Sequence, residues 1–496
     1  MSVPLAVLED FADTSGAAAL IEELLPAGAR SRQLTARTLL IGMHLAQADG
    51  RPAQLTQVHA TLTTLPESDQ ARLGITAPWK KGQHQLTYRQ TEYTFGLIVK
   101  ALSKDRPDGA PSQALQVICD HLLQAGIPPA HNNASTALAA DWTDVESWSR
   151  PPRRGSTGCA DQEAAWGHRN SNLKGPRGEK FFGYFLSAVV MTREEDGPPV
   201  PELARRMTVS SCRLDPARAL VPVLTAMPAA GIPLGDLLAD SGYAHRDAAA
   251  WAIPLRLAGA RLIQDLHPHD RGPRGTHQGA IIANGNLYCP STPPALLAIS
   301  PLPPGAAPGD IAAHNQQAAE LSRYKLGRHT SDDTDRYYRA TCPAATSKIR
   351  CPHRPGSMKL PRDRPEILTP PQHPPACCTQ QTITVSPDVA AKTRQKHDYP
   401  PPAWRRAYAR RTSAERAFST IKDPATTSIA RGWCRLMGLA PTMPWLACAL
   451  AVRNQRILTA HHHRQAENDR RAAAGIPPKT RSKRRAALTA PPAAPP

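Results

Sequence analysis

Apolar residues near the start of the chain recur at helical spacing. Leu55, Val58, Leu62 and Leu65 are three or four positions apart, a period that places side chains on one face of a helix. A similar apolar run precedes them. The pattern predicts a helical N-terminal domain over residues 1–128.

From about residue 134 the pattern changes to short apolar runs that are typical of strands and amphipathic helices. The predicted elements are strands at 136–140, 181–191 and 205–211, a helix at 215–227 capped by Asp215, a strand at 234–239, a helix at 245–257 and a strand at 261–266. Three strands come first, and helices and strands then alternate. This order predicts an α/β fold with a mixed five-stranded sheet and flanking helices over residues 129–269.

Residues 270–400 interrupt the alternation with clustered prolines. Residues 281–288 still carry a hairpin signal, because Asn284 and Gly285 tolerate the positive φ angles of a tight turn. We therefore expect an inserted, β-containing domain before the next helix.

The C-terminal part of the chain returns to helical patterns. One helix is predicted at 404–422 and an apolar one at 445–458, so that residues 401–460 complete the α/β core. Residues 461–496 open with three histidines and mix basic residues with Ala and Pro. A disordered basic tail is expected there.

The charge balance indicates a polyanionic partner. The 496 residues include 60 Lys and Arg against 41 Asp and Glu, a formal net charge of +19, and such a balance attracts nucleic acid. In the N-terminal domain, Lys80 and Arg89 are interleaved with Trp79 and Tyr88. This mixture is typical of DNA binding, and the alternative is a solvated basic face over an ordinary core.

The lengths of the apolar runs and the number of cysteines indicate in which cellular compartment the protein is expected. No apolar run approaches the roughly 20 residues that a bilayer requires, so we expect a cytoplasmic, nucleoid-associated protein with no membrane partner. Ten cysteines are too sparse for a disulfide scaffold. Half of them lie in the insertion, namely Cys289, Cys342, Cys351, Cys377 and Cys378. A structural Zn²⁺ site is one interpretation, but the spacings are weak and no Cys-x2-Cys pair is present, so reduced thiols are favoured.

One helical face in the C-terminal part combines groups that suit metal and phosphate chemistry. Tyr408, Arg411, Glu415 and Lys422 fall within an arc of roughly 60° on an ideal helix. A carboxylate offers hard oxygen to a metal ion, and the flanking cations can neutralise phosphates. Taken alone, a surface helix with ordinary salt bridges explains this face equally well.

The spacing Tyr408-x2-Arg411-x3-Glu415-x6-Lys422 resembles the signature of bacterial insertion-sequence transposases that carry an Asp-Asp-Glu catalytic triad. Two further motifs extend the resemblance. Asp141-Trp142-Thr143 is similar to the first motif of that family, and the segment from Leu238 through Asp240 to Tyr243 is similar to the second.

The resemblance implies an RNase H-like catalytic core that cleaves transposon ends and transfers the strand into target DNA. It implies Mg²⁺, for which Mn²⁺ substitutes, and a homodimer on paired DNA ends. The implied residues are Asp141, Asp240 and Glu415 as catalytic metal ligands, and Tyr408, Arg411 and Lys422 as DNA contacts.

One departure from the family pattern concerns the first motif, where Trp142 replaces the usual Gly. Asp161 is therefore a rival for Asp141, as are Asp144 and Glu146. The alternative role of Asp161 is to stabilise a turn through its side chain. Two other functions stay open: a non-catalytic DNA-binding regulator derived from a transposase, and an RNase H-like nuclease that cuts without joining.

Overall fold

Helices form the N-terminal region of the protein. The computed structural model describes residues 4–26, 34–76, 85–153, 158–169, 179–303, 305–329, 337–424 and 427–478. The helices of this region are α1 (Leu5–Ser15), α2 (Ala17–Leu24), α3 (Ala36–Ala48), α4 (Leu55–Thr63), α5 (Glu67–Arg72), α6 (Tyr88–Leu102), α7 (Gln113–Ala125) and α8 (Pro129–Asn132). The helical prediction is confirmed, while Trp79 and Lys80 lie outside the described residues.

A mixed sheet follows, and it confirms the α/β class. Its strands are β1 (Leu138–Glu146), β2 (Ala165–His168), β3 (Lys180–Met191), β4 (Ala204–Ser211), β5 (Asp236–Ala239) and β6 (Arg261–Gln264). The order is β2-β3-β1-β5-β6, and β4 also pairs with β3. β1, β3 and β4 are antiparallel neighbours, whereas β5 is parallel to β1 and β6 is parallel to β5.

Within the described residues the sheet has six strands, where the sequence predicted five. The additional strand, β2, has four residues and exposes Trp166 and His168. Its Gly167 packs so closely that an added Cβ would lie 2.6 Å from the Phe181 ring. Because β2 is short and lacks an apolar run, it gives no pattern from which a strand is predicted.

β1 is also longer than predicted, since it pairs with β3 as far as Glu146 and Gly183. Asp141 is therefore in the middle of a strand, not at its end. Its parallel partner β5 pairs with β1 only at Leu138 and Ala139. Asp141 thus lies just past the end of the parallel pairing, although the strand itself continues.

The connections between β4 and β6 agree with prediction in part. Helix α9 (Pro216–Ala226) begins where expected, and the Asp215 side chain accepts hydrogen bonds from its first turn. The helix predicted at 245–257 is confirmed only in its second part, as α11 (Ala252–Leu257), because residues 245–251 are not helical. A second short helix, α10 (Ser241–Ala244), precedes them. Between the two helices Trp251 is buried, stacks on Tyr243 and donates a hydrogen bond to Gln264. Burial of this indole in the core outweighs local helix propensity.

The insertion contains small sheets and short helices. Its elements are β7 (Pro273–His277), β8 (Ala280–Ala283), β9 (Asn286–Tyr288), α12 (Pro294–Leu297), α13 (Pro308–Tyr324), β10 (Gly327–Arg328), β11 (Tyr338–Thr341), α14 (Ala376–Thr379) and β12 (Ile383–Val385). The predicted hairpin is confirmed, because Asn284 (φ 48°) and Gly285 (φ 81°) form the turn between β8 and β9. Two separate apolar clusters form its interior.

The C-terminal helices are α15 (Pro402–Tyr408), α16 (Thr412–Lys422) and α17 (Leu439–Ala473), and a 3₁₀ turn at Ala409–Arg411 separates the first two. The single helix predicted at 404–422 is thus interrupted. Residues 461–473 are helical and not disordered, because α17 continues through them. Residues 479–496 lie outside the described residues.

The N-terminal helices and the sheet share one apolar interior. A single buried cluster runs from Leu8 in α1 through Ile118 in α7 and Leu186 in β3 to Leu450 in α17. The half of α17 that enters this cluster is buried on every side. None of the helices within the described segments combines the length and apolar character needed to cross a bilayer.

A buried carboxylate ties distant parts of the chain to the sheet. Asp236 on β5 has no exposed surface, and Arg410 and Lys396 each donate to its Oδ2 at 2.9 Å. Arg261 on β6 lies 2.9 Å from the other oxygen. Burial opposes ionisation of Asp236, but the hydrogen bonds from Arg410 and Lys396 lower its pKa. The ion cluster thereby attaches the end of the insertion and the turn before α16 to β5.

Replacement of Asp236 by Asn should lower the free energy of unfolding by about 3–5 kcal/mol, because it leaves buried cations without a counter-charge. Since folding lowers the pKa of Asp236, its contribution is present above about pH 4 and is lost as the pH falls further. Urea denaturation at pH 7 and at lower pH measures both effects. The exposed Asp310 in α13 provides the control Asp310→Asn, and an equal loss in both variants would contradict the role of the cluster.

Candidate active site

The parallel strands bring Asp141 and Asp240 together. Ala139 on β1 pairs with Leu238 on β5, so Asp141 and Asp240 each follow this pair by two residues. Ala139 and Leu238 both belong to the apolar cluster that includes α16, and side chains two residues apart on a strand share a face. The two carboxylates therefore lie side by side on the face of the sheet that α16 covers.

The turn after β5 fixes the Asp240 side chain. Its Oδ1 accepts hydrogen bonds from the backbone N–H of Gly242 at 2.9 Å and of Tyr243 at 3.4 Å, which caps α10. Trp142 packs on this turn, with its ring 4.5 Å from that of Tyr243. A Cβ on Gly242 would lie 2.3 Å from the Trp142 ring. The Trp that departs from the family motif thus supports the turn that carries Asp240.

Burial destabilises the charged forms of both aspartates. The pKa of Asp141 is raised to about 7 by burial and by the nearby Asp240 carboxylate, although Arg411 opposes this. Burial also raises the pKa of Asp240, again against the effect of Arg411. A cation placed between the two carboxylates would relieve the repulsion that Asp240 exerts on Asp141.

Arg411 links the third carboxylate to the first. Its Nη1 donates to Asp141 Oδ2 at 3.2 Å, and its Nη2 donates to Glu415 Oε1. The 3₁₀ turn at Ala409–Arg411 and the start of α16 position both residues. Asp141, Asp240 and the Arg411–Glu415 pair, which come from three distant parts of the sequence, thus form one cluster. Glu415 is half exposed, so it lies at the open side of this cluster.

Tyr408 lies behind the cluster instead of projecting into solvent. Its ring stacks on Trp404 at 4.8 Å, and the guanidinium of Arg411 lies 5.6 Å from its centre. Burial raises its pKa well above the usual range. In this conformation Tyr408 supports Arg411 through a cation–π contact.

Lys422 lies at the far end of α16, next to a different carboxylate. Its Nζ donates to Asp144 Oδ1 at 2.8 Å, and Arg169 donates to Asp144 Oδ2 at 3.0 Å. Burial opposes ionisation of Asp144, but both cations lower its pKa. Arg169 also binds Glu146 and Glu179. The predicted DNA contact is therefore part of an ion network at the edge of the site.

The rivals of Asp141 have structural partners. Asp161 is buried and accepts hydrogen bonds from Ser147 and Tyr184, each at 2.6 Å. Its Oδ1 also accepts the backbone N–H groups of Glu163 and Ala164 at 3.3 Å. This is the turn-stabilising role that the sequence analysis gave as the alternative. Among the candidates for the first carboxylate, Asp141 is the one that shares a cluster with Asp240 and Glu415.

Asp265 is an acidic neighbour that sequence reasoning missed. Ala239 on β5 pairs with Gln264 on β6, so Asp265 follows β6 as Asp240 follows β5. Its Oδ1 accepts from the Tyr399 hydroxyl at 2.7 Å and from Arg271 at 3.3 Å. Its charge contributes to the raised pKa of Asp240. The predicted strand, 261–266, included Asp265, whereas β6 ends at Gln264; an acidic residue near the end of that strand was the signal in the sequence.

Histidines form a second polar group beyond β6. The rings of His245 and His267 are 4.2 Å apart, and that of His269 lies 5.0 Å from His267. With Asp270, His245 and His267 offer ligand atoms within 4.8 Å of one another. Asp270 already binds Lys392 at 2.9 Å, so this group has a structural partner.

A cleft of about 230 Å³ lies beside Asp141 and Asp240, and His168 and Arg169 also line it. The donor set at its rim is made of carboxylate oxygens, which is the chemistry that Mg²⁺ and Mn²⁺ prefer. The raised pKa values of Asp141 and Asp240, caused chiefly by burial, show that their ionised forms are destabilised there. The residues present therefore fit a divalent cation, with Asp141 and Asp240 as ligands and Glu415 at the open side.

Substitution of Gly242 by Ala should test the packing of Trp142 on the Asp240 turn. Because the added methyl group collides with the indole ring, we expect a loss of about 1–3 kcal/mol in the free energy of unfolding. The same change in a Trp142→Ala background should cost less. Chemical denaturation of the four proteins gives the coupling energy, and Gly356→Ala, where a Cβ meets nothing within 4 Å, is the control. Strictly additive losses would contradict this packing.

Comparisons with known proteins do not add to this picture. No protein-family model matches the sequence, and searches of curated proteins and of solved structures found no match. The interpretation of the site therefore rests on the geometry and chemistry of its own residues.

Proposed function

We propose that the chain is a DNA transposase that uses divalent metal ions to cleave transposon ends and transfer the strand into target DNA. The observation that carries the proposal is the convergence of Asp141, Asp240, Glu415 and Arg411 on one cluster. These residues belong to three motifs that resemble one transposase family, and they are widely separated in sequence. Ordinary surface salt bridges give no reason for the three motifs to meet.

The topology supports an RNase H-like core. Three antiparallel strands come first, and two further strands add in parallel on the other side of β1. This arrangement is compatible with that core, and the helix that carries Glu415 then packs on the same face of the sheet. The additional hairpin strand β2 does not alter the order of the other five.

In this proposal Asp141, Asp240 and Glu415 hold Mg²⁺, or Mn²⁺ in its place. When bound, a pair of such ions activates a water or 3′-hydroxyl group and stabilises the charge that develops on the phosphate. The sheet fixes the positions of the two aspartates, and α16 brings Glu415 from the open side. The cleft beside Asp141 and Asp240 provides room for the phosphodiester group.

Arg411 has two roles in the proposed reaction. Without a bound cation it neutralises Asp141 and Glu415, which keeps three acidic side chains together at modest electrostatic cost. When the carboxylates bind metal, its guanidinium is free to donate to a phosphate oxygen, for which its forked geometry is suited. Tyr408 supports the guanidinium in either state through the ring contact.

Contacts with DNA are proposed to extend from this cluster toward the end of α16. Lys422 and Arg169 flank Asp144 there, so the edge of the site carries both signs of charge. DNA phosphates can compete with Asp144 for the Lys422 ammonium, because that side chain is 40% exposed. We also propose that two chains act together on paired DNA ends in the cytoplasm, associated with the nucleoid.

Substitution of either of two carboxylates tests the catalytic proposal. Purified protein with Mg²⁺ or Mn²⁺ is expected to nick DNA that carries the ends of its own element, and Asp240→Ala or Glu415→Gln should abolish nicking while binding is retained. The reason is that both side chains supply metal ligands but neither is needed to hold the duplex. Gel assays of nicking and of mobility shift separate the two properties.

Glu146→Gln is the matched control for this experiment, because Glu146 lies on the same strand as Asp141 but binds Arg169 instead of the cluster. It should nick at the wild-type rate. Undiminished nicking by Asp240→Ala and Glu415→Gln would overturn the triad. Nicking without strand transfer would instead favour a nuclease, and specific DNA binding without any nicking would favour a regulator.

Substitution of Lys422 by Ala should weaken binding to end DNA and lower the slope of log K against log salt by about 1, as expected for the loss of one phosphate contact. Fluorescence anisotropy over a salt series measures the slope. Arg416→Ala is the control on the same helix, because Arg416 binds Glu202 and not the site. An unchanged salt slope in Lys422→Ala would remove this residue from the DNA interface.

A further inference from the structure

The cysteines of the insertion gather in its interior. Cys289 directly follows β9, Cys342 follows β11, and Cys351 lies beyond it at a bridge between Arg350 and Glu366. All five thiols of the module are buried, including Cys377 and Cys378 in α14. Chain segments that are far apart in sequence thus bring their thiols to one region.

Cys378 influences the cysteines of all three other segments. The pKa of Cys289 is raised to about 12 by burial and by the nearby thiols of Cys342, Cys378 and Cys351. Burial also raises the pKa values of Cys342 and Cys351, and in each case Cys378 contributes. Each of the four sulfurs is therefore within the electrostatic range of the other three.

Backbone N–H groups point at the sulfur atoms in a repeated way. Ser291 donates to Cys289, Ala344 and Ala345 donate to Cys342, and His353 donates to Cys351. In all three cases a Pro directly follows the Cys and a donor comes two residues after it. Hydrogen bonds of this kind favour the thiolate form, which is the form that binds metal ions.

A cation faces the same thiols. The charge of Arg354 opposes the rise in the pKa values of Cys342 and Cys351 and contributes to the lowered pKa of Cys378. The Nε of Arg354 is buried without a hydrogen-bond partner among the described residues. An ion held by four thiolates carries net negative charge, so a neighbouring guanidinium with an unused donor would compensate it.

We propose that Cys289, Cys342, Cys351 and Cys378 bind one structural zinc ion. Four thiolates satisfy the tetrahedral preference of Zn²⁺ and leave no open position for chemistry. Binding requires the thiols to release their protons. The described cysteines do not yet place three sulfurs within 4.8 Å of one another, so side-chain rotation must close the site around the ion. The proposal is independent of the function proposed for the active site.

The small interior of the insertion explains why a structural ion would be useful there. The module has two separate small apolar clusters, one containing Cys289, Cys342 and Cys351 and the other containing Cys377 and Cys378. A small core supplies little stability, and a metal ion is a common supplement. The proposed ion would connect the two clusters, because its ligands come from both.

The neighbouring Cys377 is not included in the ligand set. Its sulfur lies 4.0 Å from that of Cys378, and it would lie 3.6 Å from a Cβ on Gly279, at the turn between β7 and β8. The hydrogen bond between the two thiols lowers the pKa of Cys378. Cys377 is an adjacent buried thiol and thus serves as a control.

Metal analysis of the full chain tests the proposal. Protein purified under reducing conditions from cells grown with zinc should contain one zinc ion per chain, measured by elemental mass spectrometry. Cys342→Ser, Cys351→Ser and Cys378→Ser should lose most of this zinc. Cys377→Ser and Cys434→Ser, which changes a buried thiol outside the insertion, should retain it. Loss from Cys377→Ser but not from Cys378→Ser would overturn the ligand assignment.

Two experiments on the wild-type protein test the zinc site without depending on the folding of any variant. When the thiols of the native protein are modified chemically, zinc should be released as the four thiols that it protects react. In a separate experiment, Co²⁺ exchanged into the site should show the visible absorption of a tetrahedral thiolate complex. Reduced wild-type protein that contains no zinc and takes up neither Zn²⁺ nor Co²⁺ overturns the proposal. A disulfide among these cysteines in protein purified from the cytoplasm would also overturn it.

Discussion

The assembly of the proposed site depends on the ion pairs of the buried Asp236 carboxylate with Arg410 and Lys396. This carboxylate lies on β5, four residues before Asp240, and Arg410 donates to it from the residue directly before Arg411. The same ion cluster therefore sets the relative position of the strand that carries one proposed ligand and the turn that leads to another. A buried charge of this kind is costly to separate from its partners, so the turn has one strongly preferred place on the sheet.

Within that frame, opposing electrostatic effects determine the state of the site. Parallel pairing forces Asp141 and Asp240 together, and Asp265 adds a third carboxylate beyond β6. Arg411 is the cation in direct contact with Asp141 and Glu415. Contact with the Arg411 guanidinium stabilises the carboxylates without metal, whereas burial still disfavours ionisation of the two aspartates, and the proposed divalent ion would favour it. Stability of the metal-free fold and affinity for metal are thus compatible.

Local patterns predicted the elements that local forces determine. The capped helix after Asp215 and the Asn284-Gly285 hairpin appear as expected, because a cap and a tight turn need only the residues that form them. Elements that depend on tertiary packing were predicted less well. The helix predicted at 245–257 forms only from Ala252 onward, after the buried Trp251. β1 extends beyond its predicted end because β3 pairs along its whole length. In the site, the convergence of Asp141 and Asp240 was expected from the resemblance of their motifs to those of a transposase family and not from the periodicity of the sequence. The ion pair of Lys422 with Asp144 joins segments too distant for any sequence period to predict.

The long insertion between Asp240 and Glu415 is tolerated because its exit is attached to the sheet. The backbone N–H of Lys396 donates to Leu262 on β6, and the Gln395 side chain accepts from Gln264. Trp404 then donates its indole N–H to the Gln264 carbonyl. These contacts cover the edge strand, which would otherwise expose unpaired groups. The entropic cost of a longer loop grows slowly with its length, so once the exit is attached, the insertion can change in size without displacing Glu415 from the aspartates.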